Sequence, residues 1–88
     1  MNWEQANYLC KKLKLDNYGD WRLPSVKELK GLYKKKGKLT NVKVAGYWTS
    51  STDIRYENTY FFIYFGNGKS GWNGKRNENY TRCVRKEN

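Results

Sequence analysis

The sequence predicts an α+β fold in which two N-terminal helices are followed by a small antiparallel β-meander. Two helix-capping motifs, each followed by an apolar stripe, lie in the first half of the chain. The second half carries an alternating aromatic segment and, directly after it, a Gly-Asn-Gly turn signal. With 88 residues, the chain is expected to form a single domain over residues 1–88.

The first helix is predicted from Trp3 to Lys14. Asn2 is a favourable N-cap, and Gln5 stands at the reciprocal position of a capping box. Apolar residues then recur at spacings of three and four, at Trp3, Ala6, Cys10 and Leu13. This spacing places them on one face of the helix. The turn-forming residues between Leu15 and Asp20 predict a loop.

The second helix is predicted over Val26–Lys34. Pro24 requires extended backbone at the residue before it, and Ser25 and Glu28 form a second capping box. The apolar stripe of this helix consists of Val26, Leu29, Leu32 and Tyr33. Gly37 is a suitable stop, and the lysines around it are favoured near a helix C-terminus.

Four strands are predicted in the second half, at residues 47–51, 59–65, 69–75 and 80–85. Both faces of the 59–65 segment are apolar or aromatic, so this strand is expected to be the central one. Gly66-Asn67-Gly68 predicts a hairpin turn after it. Residues 53–58 are expected to form a loop and residues 77–79 a turn.

The composition favours an anionic partner. The chain has 18 Lys and Arg against 8 Asp and Glu, a formal net charge of +10. A field of this sign attracts nucleic acid, sulfated or acidic glycans and anionic lipid. The alternative is that the charge only maintains solubility, in a composition rich in both Lys and Asn. No apolar run reaches the roughly 20 residues that span a membrane.

The sequence does not predict an enzyme. It contains no His, which excludes Ser–His and Cys–His arrangements. Two cysteines without His are too few for a metal site. None of the eight carboxylates forms a convincing catalytic pair. We therefore expect no catalytic residue, no metal and no cofactor.

Candidate ligand-binding residues lie in the loops of the second half, where cations and aromatic residues occur together. They are Arg55, Tyr56, Lys69, Trp72, Lys75 and Arg76. Arg and Lys bind sulfate, carboxylate or phosphate, and Trp or Tyr stacks on a sugar ring or a base. The alternative is a solvated basic surface with Trp72 packed inward.

A run of lysines is a second candidate site. It consists of Lys34, Lys35, Lys36 and Lys38. A solvated helix end explains this run more simply than a binding site does.

Two further motifs are interpreted as structural. The first is Trp21-Arg22-Leu23-Pro24, in which Trp and Leu are expected to pack before a capped helix. The second is Tyr47-Trp48, followed by a run of hydroxyl residues that are expected to bond nearby backbone groups.

Five motifs stand in a fixed order along nearly the whole chain: Trp3-x-x-Ala6-x-x-x-Cys10; Gly19-Asp20-Trp21-Arg22-Leu23-Pro24 with Lys27-Glu28-Leu29; Tyr47-Trp48-Thr49-Ser50-Ser51-Thr52; Phe65-x-x-Gly68; and Arg82-Cys83-Val84-Arg85. In this order they resemble the bacterial Lcl C-terminal domain family, which ends certain collagen-like adhesins. That family is similar in fold to C-type lectin-like domains and to formylglycine-generating enzymes (sulfatase-modifying factors).

The resemblance implies that Cys10 and Cys83 pair in a disulfide, since lectin-like folds tie the first helix to the last strand. The alternative is two buried free thiols in a reducing cytoplasm. With the bond formed and a targeting signal outside this sequence, the domain would be extracellular or periplasmic; otherwise it would be cytoplasmic. The oxygen-activating cysteine chemistry of the formylglycine-generating relatives is not carried over. Calcium is not expected, because Trp72-Asn73-Gly74 lacks the carboxylate of calcium-dependent lectins.

In one respect the sequence departs from the family. Members usually carry one or more strands before the first helix, and here the sequence begins at that helix. The strand at 80–85 would then be an open sheet edge. This predicts either a homodimer through that edge or a truncated piece of a longer protein.

Three functions are compatible with these observations. The first, which the resemblance and the charge favour, is a non-enzymatic, adhesin-like module for polyanionic glycans. The second is a nucleic-acid-binding protein acting by non-specific electrostatics, for which no recognised motif is present. The third is a structural or assembly domain.

Overall fold

The computed structural model describes residues 1–35, 37, 39, 42–52 and 55–85. It contains two helices followed by a three-stranded antiparallel sheet, which confirms the predicted α+β arrangement. The elements are α1 (Trp3–Lys12), α2 (Val26–Lys34), β1 (Gly46–Thr52), β2 (Thr59–Tyr64) and β3 (Ser70–Gly74). Neither of these helices is long and apolar enough to cross a membrane.

Both helices begin at the predicted capping boxes. The Asn2 side chain accepts a hydrogen bond from the Gln5 backbone at 2.9 Å, and the Gln5 side chain accepts one from the Asn2 backbone at 3.0 Å. Ser25 and Glu28 make the same reciprocal pair at the start of α2. The end of α1 comes two residues earlier than predicted, because Leu13 is already extended at φ −65° and ψ 129°.

The strand order is β1-β2-β3, so β2 is the central strand, as predicted. All three strands match their predicted bounds to within one residue. Gly68 closes the β2–β3 hairpin at φ +75°, and a Cβ atom there would collide with the ring of Tyr33. Glycine is therefore required at this turn. Residues 55–58 form turns, and residues 53 and 54 of the predicted loop lie outside the described residues.

Each helix covers one face of the sheet, and each face carries its own core. Alternate side chains of a strand point to opposite faces. Tyr47 opposite Ile63 therefore faces α2, while Trp48 opposite Phe62 faces α1. The buried cluster on the α1 side is Ala6, Cys10, Leu23 and Trp48; the cluster on the α2 side is Leu29, Tyr47, Ile63 and Phe65. This double covering explains why both faces of β2 are apolar.

The prediction of a last strand from Tyr80 to Arg85 is wrong. This C-terminal segment, residues 80–85, makes only two isolated bridges, from Tyr80 to β1 and from Val84 to Arg22. Trp48 donates its backbone N–H to the Tyr80 carbonyl at 3.0 Å, whereas Val84 and Arg22 exchange two bonds of 2.8 Å. The segment crosses between two different neighbours, so it never runs beside one strand long enough to form a ladder. The homodimer predicted through it therefore lacks the open strand edge on which that prediction depended.

Cys10 and Cys83 form a disulfide, as the resemblance implied, and the alternative of free thiols is wrong. Their Cα atoms are 5.4 Å apart and their sequence separation is 73. Cys10 is fully buried in the cluster beside Trp48. The bond therefore ties α1 to the C-terminal segment, in place of the backbone ladder that this segment lacks.

Candidate ligand-binding site

Three aromatic side chains form a continuous surface beside the β2–β3 hairpin. They are Tyr56, Phe61 and Trp72, called here the aromatic surface. Phe61 and Trp72 are partners in the β2–β3 register, so their side chains share one face of the sheet. Their ring centroids are 3.7 Å apart. Tyr56, in the turn before β2, meets Trp72 edge-on at 5.7 Å, a favoured geometry for an aromatic pair.

Much of this surface is open to solvent. Trp72 is 38% exposed and Tyr56 is 53% exposed, while Phe61 is half-buried. The guanidinium of Arg55 lies 5.5 Å from the centroid of the Tyr56 ring, within cation–π range. The result is an apolar surface, held in place by contacts between its own rings, with a cation at its border.

The structure brings together only part of the predicted ligand-binding set. Arg55, Tyr56 and Trp72 lie together, as described above. Lys75 instead pairs with Glu4 of α1, with 2.9 Å between Lys75 Nζ and Glu4 Oε1. Lys69 lies in the β2–β3 hairpin, and Arg76 is exposed in the turn after β3.

The second candidate, the lysine run, lies at the end of α2. Lys34 is the last residue of α2 and Lys35 is its C-cap, and both are exposed. Lys36 and Lys38 lie outside the described residues.

Phe61 belongs to the aromatic surface but was not among the predicted site residues. The signal was present in the sequence, because a hairpin turn of known position sets the strand register. The turn at residues 66–68 pairs Ile63 with Ser70, and two positions further it pairs Phe61 with Trp72. No comparable sequence signal predicts the contact between Tyr56 and Trp72, because this contact depends on the path of the turn that precedes β2.

The two motifs interpreted as structural lie largely in the interior. Leu23 is 1% exposed, and Tyr47 and Trp48 are 3% and 0% exposed. Pro24 is also fully buried, whereas Trp21 is half-buried. Arg22 is different, because its two terminal nitrogens donate to the two carboxylate oxygens of Glu28 at 2.7 and 2.8 Å.

The Arg22 hydrogen bonds lower the pKa of Glu28 from 4.5 to about 2. The Ser25 backbone N–H, which donates to the same carboxylate at 2.8 Å, acts in the same direction. Partial burial opposes both effects. Glu28 therefore joins the capping box of α2 to the motif that precedes it.

We expect Glu28→Gln to lower the free energy of unfolding at pH 7 by about 1 kcal/mol, because it removes the ion pair but keeps the capping box. The value is small because solvent screens the pair: the Arg22 and Glu28 side chains are 43% and 37% exposed. The folded-state pKa of Glu28 lies below its unfolded value, so its contribution is present above pH 4.5 and is lost as pH falls through about 2.

Urea denaturation of both proteins at pH 7 and at pH 2 measures this difference. Glu57→Gln removes the same charge from an exposed turn residue and should change stability little at either pH. A gap between the Glu28 variant and the unsubstituted protein that stays constant from pH 7 to pH 2 would contradict the proposed ion-pair contribution.

Several side chains of types that can carry catalysis are engaged in structural contacts. Cys10 and Cys83 are joined to each other, so neither supplies a thiolate. Asp20 and Glu28 are held in ion pairs with arginines. Within the described ranges, no three His, Cys, Asp or Glu side chains lie close enough together to hold a metal ion.

Comparison with protein families places the chain beside a known domain. A family model described as the Lcl C-terminal domain matches residues 1–85. The match covers both helices, all three strands and both cysteines. No curated protein matches the sequence significantly.

Proposed function

This chain belongs to the Lcl C-terminal domain family, and on that basis we propose that it is a non-enzymatic binding module for an anionic glycan. The aromatic surface is the proposed contact with a sugar ring. The family resemblance supports an adhesin-like role on a lectin-like scaffold. The disulfide supports an oxidising compartment, where such bonds persist.

The observation that carries the proposal is the partial exposure of Trp72 while its ring is held against Phe61. A side chain that is already ordered loses little conformational entropy when a ligand binds. The apolar face of a sugar ring would remove further indole and phenol surface from water. Arg55 at the border would supply a charge-assisted hydrogen bond to a sulfate or carboxylate group of the same ligand.

The test is affinity for heparin-derived oligosaccharides, measured by titration calorimetry at a fixed, moderate salt concentration. We expect Trp72→Ala and Tyr56→Ala each to weaken binding about tenfold, since covering about 50 Å² of apolar ring surface contributes roughly 1.3 kcal/mol, close to one factor of ten in affinity. Neither substitution changes the net charge, so a loss of affinity cannot come from a weaker overall field.

Tyr8→Ala is the matched control. Tyr8 is 63% exposed on α1 and contacts Lys12, with 5.5 Å between the ring centroid and Lys12 Nζ. Its removal should leave affinity unchanged. Unchanged binding by the Trp72 variant, with circular dichroism showing an intact fold, would contradict the proposal.

Nucleic acid is the alternative ligand, because bases also stack on aromatic rings. Affinity for a single-stranded oligonucleotide with the same charge as the heparin oligosaccharide distinguishes the two ligands. Equal affinity for both probes, with the same steep loss on adding salt, would indicate non-specific electrostatics. Binding of neither probe would favour a structural or assembly domain.

A further inference from the structure

β3 is an edge strand of the sheet, and no described segment pairs with its outer side. The opposite edge of the sheet is protected. There the β1–β2 register shifts after Trp48, and Tyr80 bonds the backbone of Gly46 and Trp48 at 2.9 and 3.0 Å. β3 lacks these protections, because it pairs with β2 through five consecutive residues and Ser70–Gly74 contains no proline and no charged side chain.

Two hydrogen bonds determine which backbone groups of β3 point outward. Tyr64 donates its N–H to the Lys69 carbonyl at 2.9 Å, and Lys75 donates its N–H to the Asn58 carbonyl at 2.7 Å. Hydrogen-bonded and non-hydrogen-bonded pairs alternate along an antiparallel ladder. Residues 71 and 73 therefore bond β2, whereas residues 70, 72 and 74 direct their N–H and C=O groups to the outer side of β3.

The outward groups at residues 70 and 72 are unsatisfied. In the described part of the chain, no hydrogen bond involves the outward N–H or C=O of Ser70 or Trp72, and both residues are exposed. The Gly74 carbonyl differs, because it accepts from the backbone N–H of Asn77 at 3.0 Å. The outer side of β3 thus presents two donors and two acceptors at the spacing of a β-ladder.

Cations flank this open edge. Lys69 precedes β3 and Arg76 follows it, both are exposed, and neither forms an ion pair with a described residue. Lys75 differs, because Glu4 neutralises its charge. Lys69 and Arg76 belong to the predicted ligand-binding set, and the proposed sugar contact uses neither of them.

These charges disfavour a second copy of the chain as the partner of β3. An antiparallel pairing of two β3 strands over all five residues would set Lys69 of each copy opposite Lys75 of its partner. Like charges directly opposite each other destabilise a strand pair, and each copy also carries a net charge of +10. An acidic segment meets the reverse condition, since its carboxylates would lie beside Lys69 and Arg76.

We propose that β3 is a docking edge for an extended acidic segment of a partner protein, which joins the sheet as a fourth strand. The outward backbone groups of Ser70 and Trp72 form the ladder with this segment. Five strand residues span about 17 Å, so the segment pairs through about five residues and carries a carboxylate near each end, for Lys69 and Arg76. This interaction is separate from the proposed glycan contact, which uses ring faces and not the backbone edge.

The probe is a labelled seven-residue peptide with glutamate at both ends and alternating valine and threonine between them. Its affinity is measured by fluorescence anisotropy at a moderate salt concentration. The control peptide carries a methyl group on every internal backbone nitrogen, which keeps the charge and the side chains but removes the ladder donors. We expect the control peptide to bind at least tenfold more weakly. Equal affinities, or no binding of the first peptide, would overturn the proposal.

Ser70→Pro removes one outward N–H without touching the β2 ladder. Proline is tolerated at the first residue of an edge strand whose N–H faces solvent. We expect peptide affinity to fall about tenfold in this variant and to be retained in Ser70→Ala, which keeps the N–H. Heparin affinity should stay unchanged in both variants, so a failure of the docking edge is distinguishable from a failure of the glycan contact. Unchanged peptide affinity in Ser70→Pro would contradict the proposal.

Amide hydrogen exchange, followed by NMR, tests the same edge without any substitution. The amides of Ser70 and Trp72 should exchange at least tenfold more slowly when the peptide is present. Those of Gly71 and Asn73 already bond β2, so they should be protected in both states. Peptide binding that leaves Ser70 and Trp72 unprotected would overturn the proposal, because the peptide would then not be joining the sheet.

Two double substitutions test the flanking cations. Lys69→Gln with Arg76→Gln should weaken peptide binding about tenfold, whereas Lys30→Gln with Lys34→Gln, which removes two exposed lysines of α2, should weaken it less than about twofold. Each pair removes two positive charges. Equal losses would mean that only net charge matters and would overturn the proposal. Sedimentation that shows a dimer which the peptide dissociates would assign the edge to a second copy and would also overturn it.

Discussion

Replacing Cys10 and Cys83 together by alanine should lower the free energy of unfolding by about 4 kcal/mol. The bond closes a loop with a sequence separation of 73, and a long closed loop restricts the unfolded chain most strongly. Stabilities of small domains are about 5–15 kcal/mol in total, so this loss removes a large share. Alanine is the appropriate replacement, because Cys10 is fully buried and serine would bury a hydroxyl group.

Urea denaturation of the double variant and of the oxidised protein measures this effect. The unsubstituted protein in excess reductant is the matched control, because it keeps both sulfur atoms in the core and lacks only the bond. The reduced protein and the double variant should have similar midpoints, both well below that of the oxidised protein. A difference below about 1 kcal/mol would mean that packing around the C-terminal segment holds it without the bond.

Trp48→Ala should cost about 3–5 kcal/mol, the range for removing a large aromatic side chain from a core. Trp48 is fully buried among Ala6, Cys10 and Leu23. Its indole N–H donates to the Met1 carbonyl at 2.9 Å, so the substitution also leaves a carbonyl without that partner. The cavity would lie beside the disulfide, where the covalent bond limits collapse of the surrounding chain.

Trp72→Ala is the matched control, since it removes the same side chain from another strand of the same sheet. Trp72 is 38% exposed and Trp48 is 0% exposed, so the Trp72 variant should lose far less stability. Thermal and urea denaturation of both variants would show the contrast. For heparin affinity the order should be reversed. Trp72→Ala should lose more affinity than Trp48→Ala, because only Trp72 belongs to the aromatic surface. Equal losses of stability would contradict the assignment of Trp48 to structure and Trp72 to function.

Contacts between residues close in sequence were predictable. The capping boxes at Asn2 and Ser25 need only residues three positions apart, so both helix starts were predicted correctly. The hairpin turn at residues 66–68 sets the register of β2 and β3, and this too depends only on residues close in sequence. The disulfide was different, because two cysteines fix no geometry by themselves, and it was predicted only through the family resemblance.

The C-terminal segment shows where this reasoning fails. Residues 80–85 are predicted to form a strand, but a strand exists only where a partner runs beside it. Tyr80 bonds β1 while Val84 bonds Arg22, so the partner changes within four residues. A groove lined by α2 and by this segment could not be predicted either, because its lining residues Leu32 and Val84 are far apart in sequence.

The sequence by itself determined two capped helices, three strands, a strongly basic surface and the lack of histidine chemistry, because these follow from composition and from spacings of a few residues. The tertiary structure alone decided which aromatic residues remain exposed and which cations are already paired. Lys75 and Trp72 are three residues apart, yet one is bound to α1 and the other lies on the aromatic surface. Burial and pairing depend on what the folded chain brings next to each side chain, and local spacing does not specify that.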